Sequence, residues 1–426
     1  MVEQKIRKGY KQTELGVIPD DWSIVTINNI CLIRSGKRIP KGNSLSNTQT
    51  KHPYIRIKDL KNNGVLLDDL KYVPDHLYSK IKKYIITKDD IYISVAGTLG
   101  LVGKIPEQLD GANLTENANR LTQIKCDRDY LLIFLTSQKI QTIIESVKTI
   151  GAQPKLAIYQ IKKIKILLPP TNGEQKIIAK NISDIVQLIN SIESLIQKKK
   201  NIKQGAMQEL LTGKRRLEGF SGEWQEVQFD SLCKSFTKQT GFDYTAHIKP
   251  KLVTTSHIDV IPFIQNKDFN AKKINFDTDY YLPVNVAENY PNILLDEKCL
   301  LISISGSIGN VGIFSNLKKA FVGGAIGVAK FKNKNNLEWV LYYLLSNEGK
   351  KIFFKDTKSG AHHNLTVEGI RNMMIPIPPP DEKSLITEIL SKMDSEIEQL
   401  ESQKEKYINL KQAMMQKLLT GEIRLV

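Results

Sequence analysis

A repeat with a period of 208 residues constrains this chain more than any other feature of its sequence. The segment 203–213, KQGAMQELLTG, returns at 411–421 as KQAMMQKLLTG. Each copy closes a long helical pattern, and each pattern opens after a proline step, LPP at 168–170 and IPP at 377–379. Further matches lie upstream, ISVAGTLG at 93–100 with ISISGSIG at 302–309. The repeat predicts the order domain, helix, domain, helix, which is a two-unit duplication and not a solenoid.

The length fits this order. A chain of 426 residues accommodates two domains of ordinary size and two helical segments. We expect a first target domain at 1–170, a central helical spacer at 171–216, a second domain at 217–379 and a C-terminal helical spacer at 380–426. The predicted fold class is α+β, with two mixed, strand-rich domains separated by two long helices.

The two helical patterns carry coiled-coil seams. Apolar residues recur at alternating steps of three and four, as at the a and d positions of a heptad. The seam residues are Ile178, Ile182, Ile185, Ile189, Ile192 and Ile196 in the first helix, and Ile386, Leu390, Met393, Ile397 and Leu400 in the second. We predict a first helix from about Gly173 to Leu211, antiparallel to the second, with a pseudo-two-fold axis. The core of a helical bundle, or a zipper between two chains, would show the same pattern.

The globular halves contain segments rich in β-branched and aromatic residues, which are typical of strands. Examples are 54–57, 84–86, 91–95 and 300–304, with short helical stretches near 130–147 and 337–354. The segment Gly97–Lys104 resembles a phosphate-binding loop, but Thr98 stands where a glycine is needed and Ile105 where a serine or threonine should bind magnesium. We therefore predict a tight turn between two strands.

Charge and composition bound the partners. A formal charge of +16 and a pI of about 9.4 favour a polyanion, with nucleic acid first and an acidic membrane surface second. The chain has no run of about 18 apolar residues and no apolar leader segment, so we expect a soluble, cytoplasmic protein without a membrane partner. Cys31, Cys126, Cys233 and Cys299 are far apart, which favours buried thiols over a zinc site or disulfides.

No catalytic constellation is present in the sequence. Glu174-Gln175-Lys176 fits part of a nuclease signature, but it lacks a suitably placed upstream Asp and does not recur as a motif in the second copy, so helix N-terminal charge explains it better. An amino-methyltransferase motif is also absent, because Leu168 precedes the two prolines. We predict no catalytic residues, no metal site and no cofactor bound by this chain.

Basic and amide side chains collect in loops of both halves. Arginine and lysine bind phosphates or guanine edges, and amides read adenine. The candidate DNA-binding residues are Arg34, Lys37 and Arg38 in the first half, with Lys41 nearby, and Lys234, Lys238 and Gln239 in the second. A solvated charged surface explains any one of them equally well.

The sequence resembles the specificity subunit of type I restriction-modification systems. The opening Tyr10–Trp22, the Pro169-Pro170 step followed by Glu174-Gln175 and a helix, and the closing segment 416–425 all carry the resemblance, which covers the whole chain. In the second copy Lys383 replaces the expected glutamine.

The resemblance implies two target-recognition domains, each reading half of a split, asymmetric double-stranded DNA site, with the helices setting their separation. It also implies two methyltransferase subunits and translocating restriction subunits as partners, which hold the S-adenosylmethionine, ATP and magnesium sites. The family's reading loops correspond to Gln153 and Lys155 in the first half and to His362, His363 and Asn364 in the second. A coiled-coil adapter without a DNA role, or an unrecognised nuclease, are the alternative functions.

Overall fold

The computed structural model describes residues 6–148, 154–270, 273–306, 308–315, 318–355 and 365–425. The chain forms two compact units. Unit 1 comprises residues 1–192 and 403–426, and unit 2 comprises residues 193–402. Each unit therefore contains one globular half together with a part of each long helix.

Among its described residues, unit 1 contains fourteen strands and the start of the first long helix. Its strands are β1 (Tyr10–Thr13), β2 (Gly16–Pro19), β3 (Ser23–Thr26), β4 (Leu32–Ser35), β5 (Pro53–Ile55), β6 (Leu60–Lys61), β7 (Gly64–Val65), β8 (Lys71–Tyr72), β9 (Ile85–Ile86), β10 (Ile91–Ser94), β11 (Val102–Lys104), β12 (Ala112–Leu114), β13 (Ala118–Thr122) and β14 (Lys165–Leu168). Its helices are α1 (Ile27–Ile30), α2 (Asp75–Ile81), α3 (Arg128–Leu135), α4 (Gln138–Val147), α5 (Ile158–Lys163) and the start of α6 (Asn172–Leu210).

Two four-stranded sheets organise unit 1. One has the order β11-β10-β13-β4 with antiparallel neighbours. The other has the order β8-β5-β12-β9, in which β5 and β12 are parallel. The main core lies between the first sheet, α3, α4 and the long-helix segments, and it includes Trp22, Tyr130 and Leu418.

Unit 2 repeats this plan. Its strands are β15 (Gln225–Gln228), β16 (Cys233–Lys238), β17 (Val260–Ile264), β18 (Phe269–Asn270), β19 (Lys273–Ile274), β20 (Tyr281–Pro283), β21 (Cys299–Ser303), β22 (Val311–Phe314), β23 (Phe321–Val322), β24 (Ile326–Phe331) and β25 (Met374–Ile377). Its helices are α7 (Phe229–Leu232), α8 (Gly241–Asp243), α9 (Val284–Ala287), α10 (Asn335–Leu345), α11 (Asn347–Lys355), α12 (Val367–Arg371) and α13 (Pro380–Leu418), which continues into unit 1.

The sheet connections of unit 2 match those of unit 1. The order β16-β24-β21-β22 corresponds to β4-β13-β10-β11, and the parallel pair β17 and β23 corresponds to β5 and β12. The pair β15 and β25 likewise corresponds to β3 and β14. The predicted α+β class and the internal repeat are therefore confirmed.

The long helices α6 and α13 each contain 39 residues and begin 208 positions apart. The isoleucines of the α6 seam are all buried, at 9% exposure or less, and so are Ile386, Leu390 and Ile397 of α13. Met393 and Leu400 are half-buried. The sequence prediction of the first helix differs from α6 by one residue at each end.

The helix segments are antiparallel within unit 2. Lys199 Nζ lies 2.6 Å from Glu396 Oε2, whereas Lys203, one turn further along α6, pairs with Asp394, which lies earlier in α13. Within unit 1, Ile178 and Ile182 of α6 share a core with Leu418 near the end of α13. The predicted antiparallel helices are confirmed within each unit.

Two smaller predictions concern the glycine-rich segment and the cysteines. The first part of the glycine-rich segment, residues 97–101, is a turn that leads into β11, the antiparallel neighbour of β10. Cys31, Cys233 and Cys299 are buried thiols, as predicted, whereas Cys126 is half-buried. Burial raises the pKa of the thiols of Cys31, Cys233 and Cys299 to about 12, so they stay protonated at neutral pH.

Candidate nucleic-acid interface

Strands β4 and β10 end at the same edge of the first sheet of unit 1. Each is antiparallel to β13, which lies between them, so they are parallel to each other and their carboxyl ends lie together. We call this the carboxyl edge of unit 1. Gly36 follows β4 there, and a Cβ atom at Gly36 would lie 2.0 Å from the carbonyl oxygen of Thr115. Only glycine lets the chain pass so close before the basic loop begins.

The candidate cations of unit 1 lie at or near this edge. Arg34 lies in β4 opposite Arg120, and Lys37 and Arg38 follow Gly36; the side chains of all three candidates are exposed. Lys37 Nζ lies 5.7 Å from the centre of the Tyr84 ring. Arg38 Nε lies 2.9 Å from Glu116 Oε1, and its side chain is 79% exposed. Such an exposed ion pair is weak, about 0–1 kcal/mol, so a phosphate can displace the carboxylate at little cost.

Lys155 reaches the same edge from a distant part of the sequence. It forms an isolated antiparallel bridge with Ala96, two residues after β10, and the next residue, Leu156, donates its backbone N–H to Val95 O at 3.0 Å. The side chain of Lys155 is exposed. Gln153 lies outside the described residues. The structure therefore places Lys155 at the same end of this sheet as the Arg34 to Arg38 loop, which is about 120 residues away in the sequence.

In unit 2 the structure separates the three candidates. Lys238 ends β16 and is exposed at the equivalent carboxyl edge, opposite Gly327 of β24. Lys234 lies at the start of β16, about 13 Å away at the usual rise per residue. Its Nζ atom is 3.7 Å from Glu297 Oε2, an acid that Lys334 also approaches at 3.6 Å. Lys234 therefore belongs to the opposite end of the strand.

Gln239 is not an exposed reading side chain in this structure. It is 2% exposed, and neither its amide nitrogen nor its amide oxygen has a hydrogen-bond partner among the described residues. His362, His363 and Asn364 lie outside the described residues. Leu365, the next residue, donates its backbone N–H to Ile304 O at 3.0 Å, which matches the bond from Leu156 to Val95 in unit 1.

Each unit also contains an ion pair between a buried glutamate and a partly exposed arginine, which the sequence analysis did not assign. In unit 1 the guanidinium of Arg424 binds Glu174 with two hydrogen bonds of 2.6 and 2.9 Å, and it also lies 2.8 Å from Asp21. In unit 2 Arg216 binds Glu382 with two bonds of 2.7 Å. Glu174 is 3% exposed and Glu382 is fully buried. We call these contacts the two clasps.

The clasps explain the repeated Leu-Leu-Thr-Gly sequence. The leucines are buried and the threonine hydroxyls donate back to the carbonyls of Gln208 and Gln416, each at 2.7 Å. Gly213 and Gly421 then take positive φ angles of 68° and 72°, which end the helices and turn the chain toward the clasp arginines. At Gly421 a Cβ atom would lie 2.5 Å from the Pro19 ring, so the close packing there also requires glycine.

The hydrogen bonds of the clasps shift the pKa values of the clasp residues. Burial opposes the charged form of Glu382, but the bonds from Arg216 and from Trp224 Nε1, at 3.1 Å, outweigh it, so the pKa of Glu382 lies below its ordinary value. The bond to Glu174 raises the pKa of Arg424. Trp22, the counterpart of Trp224, has a buried Nε1 atom without a partner among the described residues.

Glu174 thus has a structural role beyond helix N-terminal charge. A signal for it was present in the sequence, because Glu174 and Glu382 are related by the 208-residue repeat, and so are Arg216 and Arg424. The interpretation of Glu174 as helix N-terminal charge alone was therefore incomplete.

Among the described residues, no three His, Cys, Asp or Glu side chains form a group that could hold a metal ion. None of the helices in the described ranges combines the length and the apolar character that a membrane span needs.

The geometry defines a class of protein, a duplicated α+β protein with exposed basic residues at the carboxyl edge of each unit. Comparison with known proteins specifies it further. The family model described as the type I restriction modification DNA specificity domain matches residues 19–204 and again 222–410. The chain therefore belongs to the family of type I restriction-modification specificity subunits, which is a family of recognition subunits and not of enzymes.

Individual relatives match this chain along nearly its whole length. The putative type I restriction enzyme MjaX specificity subunit of Methanocaldococcus jannaschii is 28% identical, over 98% of this chain and 97% of its own length. The EcoKI specificity subunit of Escherichia coli is 21% identical, over 96% and 90%. The solved S subunit of M. genitalium has a TM-score of 0.56 at 16% identity, over 97% and 98%. A chain solved in work on type I R-M complex assembly and conformational transition has a TM-score of 0.58 at 17% identity, over 95% and 99%, and both structures share the fold.

Proposed function

We propose that this specificity subunit reads a bipartite, asymmetric DNA target, with one half-site contacted by each carboxyl edge. The observation that carries this proposal is the difference between two equivalent edges. The sheet order is the same, but unit 1 presents Arg34, Lys37 and Arg38 where unit 2 presents Lys238 and buries Gln239. Identical edges would read identical half-sites, whereas different side chains on one backbone read different bases.

The domain plan follows from this division. Residues 1–170 and 217–379 are the two target-recognition domains, and residues 171–216 and 380–426 are the helical spacers that fix their separation. Basic loops hold the phosphates, and the positions nearest the carboxyl edges read base edges. Of the proposed reading residues, Gln153, His362, His363 and Asn364 rest on the family resemblance alone.

The same repeat suits a scaffold for two copies of one partner. We propose that two methyltransferase subunits dock on it, followed by the restriction and translocation subunits. Those partners bind S-adenosylmethionine, ATP and magnesium, and this chain binds none of them. The complex works on DNA in the cytoplasm.

Methylation sequencing of host genomes with and without this gene tests the proposal. We expect one split motif with two different halves to lose its methylation when the gene is deleted and to regain it when the gene is restored. An unchanged methylome, together with salt-independent or absent DNA binding by the assembled complex, supports the adapter alternative. Cleavage of DNA by the purified chain with magnesium alone supports the nuclease alternative.

A further inference from the structure

Phe242 lies beside the carboxyl edge of unit 2 with 74% of its surface exposed. It follows β16 by four residues, in a short helical segment formed by α8 and by a π-helical turn over Tyr244–Ile248. The side chain of Thr240 caps this segment by accepting a hydrogen bond from the backbone N–H of Asp243 at 3.1 Å. A large aromatic side chain this exposed is unusual in a segment that is otherwise well held.

The segment is anchored on the face opposite Phe242. The Tyr244 ring stacks on Phe263, with centroids 6.4 Å apart and planes 21° apart, and Ile248 is fully buried in the core. Phe242 precedes Tyr244 by two residues, which is about 200° around a helix, so its side chain is directed away from the core. The anchor makes the exposure of Phe242 a fixed feature of the fold.

His247 supports the exposed ring. Its ring centroid lies 5.7 Å from that of Phe242, in an edge-on arrangement with planes 75° apart. Phe242 lies in α8, and His247 lies in the π-helical turn that follows it. Turns of this kind are frequent at functional sites.

Three lysines flank Phe242 in the sequence, at positions 238, 249 and 251, while the adjacent Asp243 lies 3.8 Å from His247. Lys238, Lys249 and Lys251 are exposed, and none of them forms an ion pair with a carboxylate in the part of the chain that the structure describes. Asp243 is the single acidic residue between positions 238 and 258. An aromatic face flanked by cations matches a nucleic-acid base flanked by phosphates.

The distribution of this feature favours DNA over a protein partner. The corresponding stretch of unit 1, residues 36–50, contains no aromatic residue. A partner that docks twice on a duplicated scaffold needs a surface that both units share, whereas the reading of two different half-sites needs surfaces that differ. Phe242 belongs to a surface that differs between the two units.

We propose that Phe242 is a wedge that stacks on a base of the half-site read by unit 2, while Lys238, Lys249 and Lys251 hold the neighbouring phosphates. This inference rests on the proposed DNA-reading function. Apolar wedges of this type partly unstack a base step, and flexible pyrimidine–purine steps permit it at the lowest cost. The wedge predicts a local distortion in one half-site only.

The experiment uses the assembled complex with its methyltransferase subunits. The probe is a duplex that carries the target found by methylation sequencing, with a fluorescent base analogue at each position of either half-site in turn. We expect binding to increase the fluorescence at one step of the unit 2 half-site and at no step of the other. Phe242→Ala should abolish the increase and weaken binding about 5- to 150-fold, the range for loss of one stacked base.

Three variants sharpen the comparison. Phe242→Tyr keeps the aromatic ring and should retain the fluorescence signal, whereas Phe242→Leu keeps only an apolar side chain and should retain the signal in part. Met374→Ala removes another exposed apolar side chain of unit 2, 43% exposed in β25, and should bind like the unmodified complex.

The outcomes separate the two hypotheses. If the unmodified complex does not bind the target, the proposed function fails. If it binds normally and Phe242→Ala binds equally well with the same fluorescence, the wedge alone is wrong. Loss of methyltransferase subunits from the Phe242→Ala complex during purification would identify a protein-docking residue and would also overturn the wedge.

Discussion

Removal of the arginine from the unit 1 clasp should destabilise that unit strongly. In an Arg424→Met variant, Glu174 keeps its buried position but loses both guanidinium hydrogen bonds. Leaving one charge of a buried pair without its partner costs about 3–5 kcal/mol. The Arg424 side chain is 25% exposed, so the lower value of about 3 kcal/mol applies. For a unit of about 200 residues this lowers Tm by about 6–12 °C.

Calorimetry on the full chain measures this effect, and a double-mutant cycle isolates it. Glu174→Met in the Arg424→Met background should recover most of the lost stability, because no buried charge then remains unpaired. Arg216→Met in unit 2 is the matched variant. It should cost less, since Trp224 Nε1 still donates a hydrogen bond to Glu382. If the Arg424 and Glu174 substitutions are additive to within about 0.5 kcal/mol, the clasp is no more than a surface pair and the argument is wrong.

The remaining predictions concern pH, salt, reading and spacing. The pKa of Glu382 in the folded protein lies below its ordinary value of 4.5. The ionised carboxylate therefore stabilises the folded state fully above pH 4.5, and this stabilisation is lost as pH falls through the folded pKa. Glu382→Gln should make the free energy of unfolding depend less on pH in the acid range. The log of DNA affinity should fall linearly with log salt, with a slope for about 6 to 10 phosphates in the assembled complex, whereas the isolated chain should bind poorly; a slope near zero argues against DNA contacts. Lys155→Ala and Asn364→Ala should each weaken one half-site by about 1–3 kcal/mol in binding assays, and an equal loss on every DNA sequence would indicate a phosphate contact instead. Four residues inserted after Ile196 lengthen α6 by about 6 Å, and methylation sequencing should then show half-sites separated by nearly two more base pairs. A two-residue insertion should instead disrupt the seam between the helices. An active four-residue variant with the original separation would show that the helices do not set the spacing.

The sequence alone predicted much of the architecture of this protein. The isoleucine periodicity located α6 to within one residue at each end, and the repeat required a second helix of the same length in α13. These predictions hold because helix periodicity and helix stop signals are local properties, readable within a few turns of chain. The paired strands of the two units also follow from the duplication, since matching segments of a repeat fold alike.

The sequence determined, by itself, the family, the α+β repeat and the helix seams. Only the tertiary structure decided that Glu174 pairs with Arg424, a partner 250 residues away, and that Gln239 is buried while Phe242 is exposed. It also decided that Lys234 and Lys238 lie at opposite ends of one strand. Contacts between distant segments, and the solvent exposure of a single side chain, depend on how whole elements pack, and no periodicity in the neighbouring sequence encodes that packing.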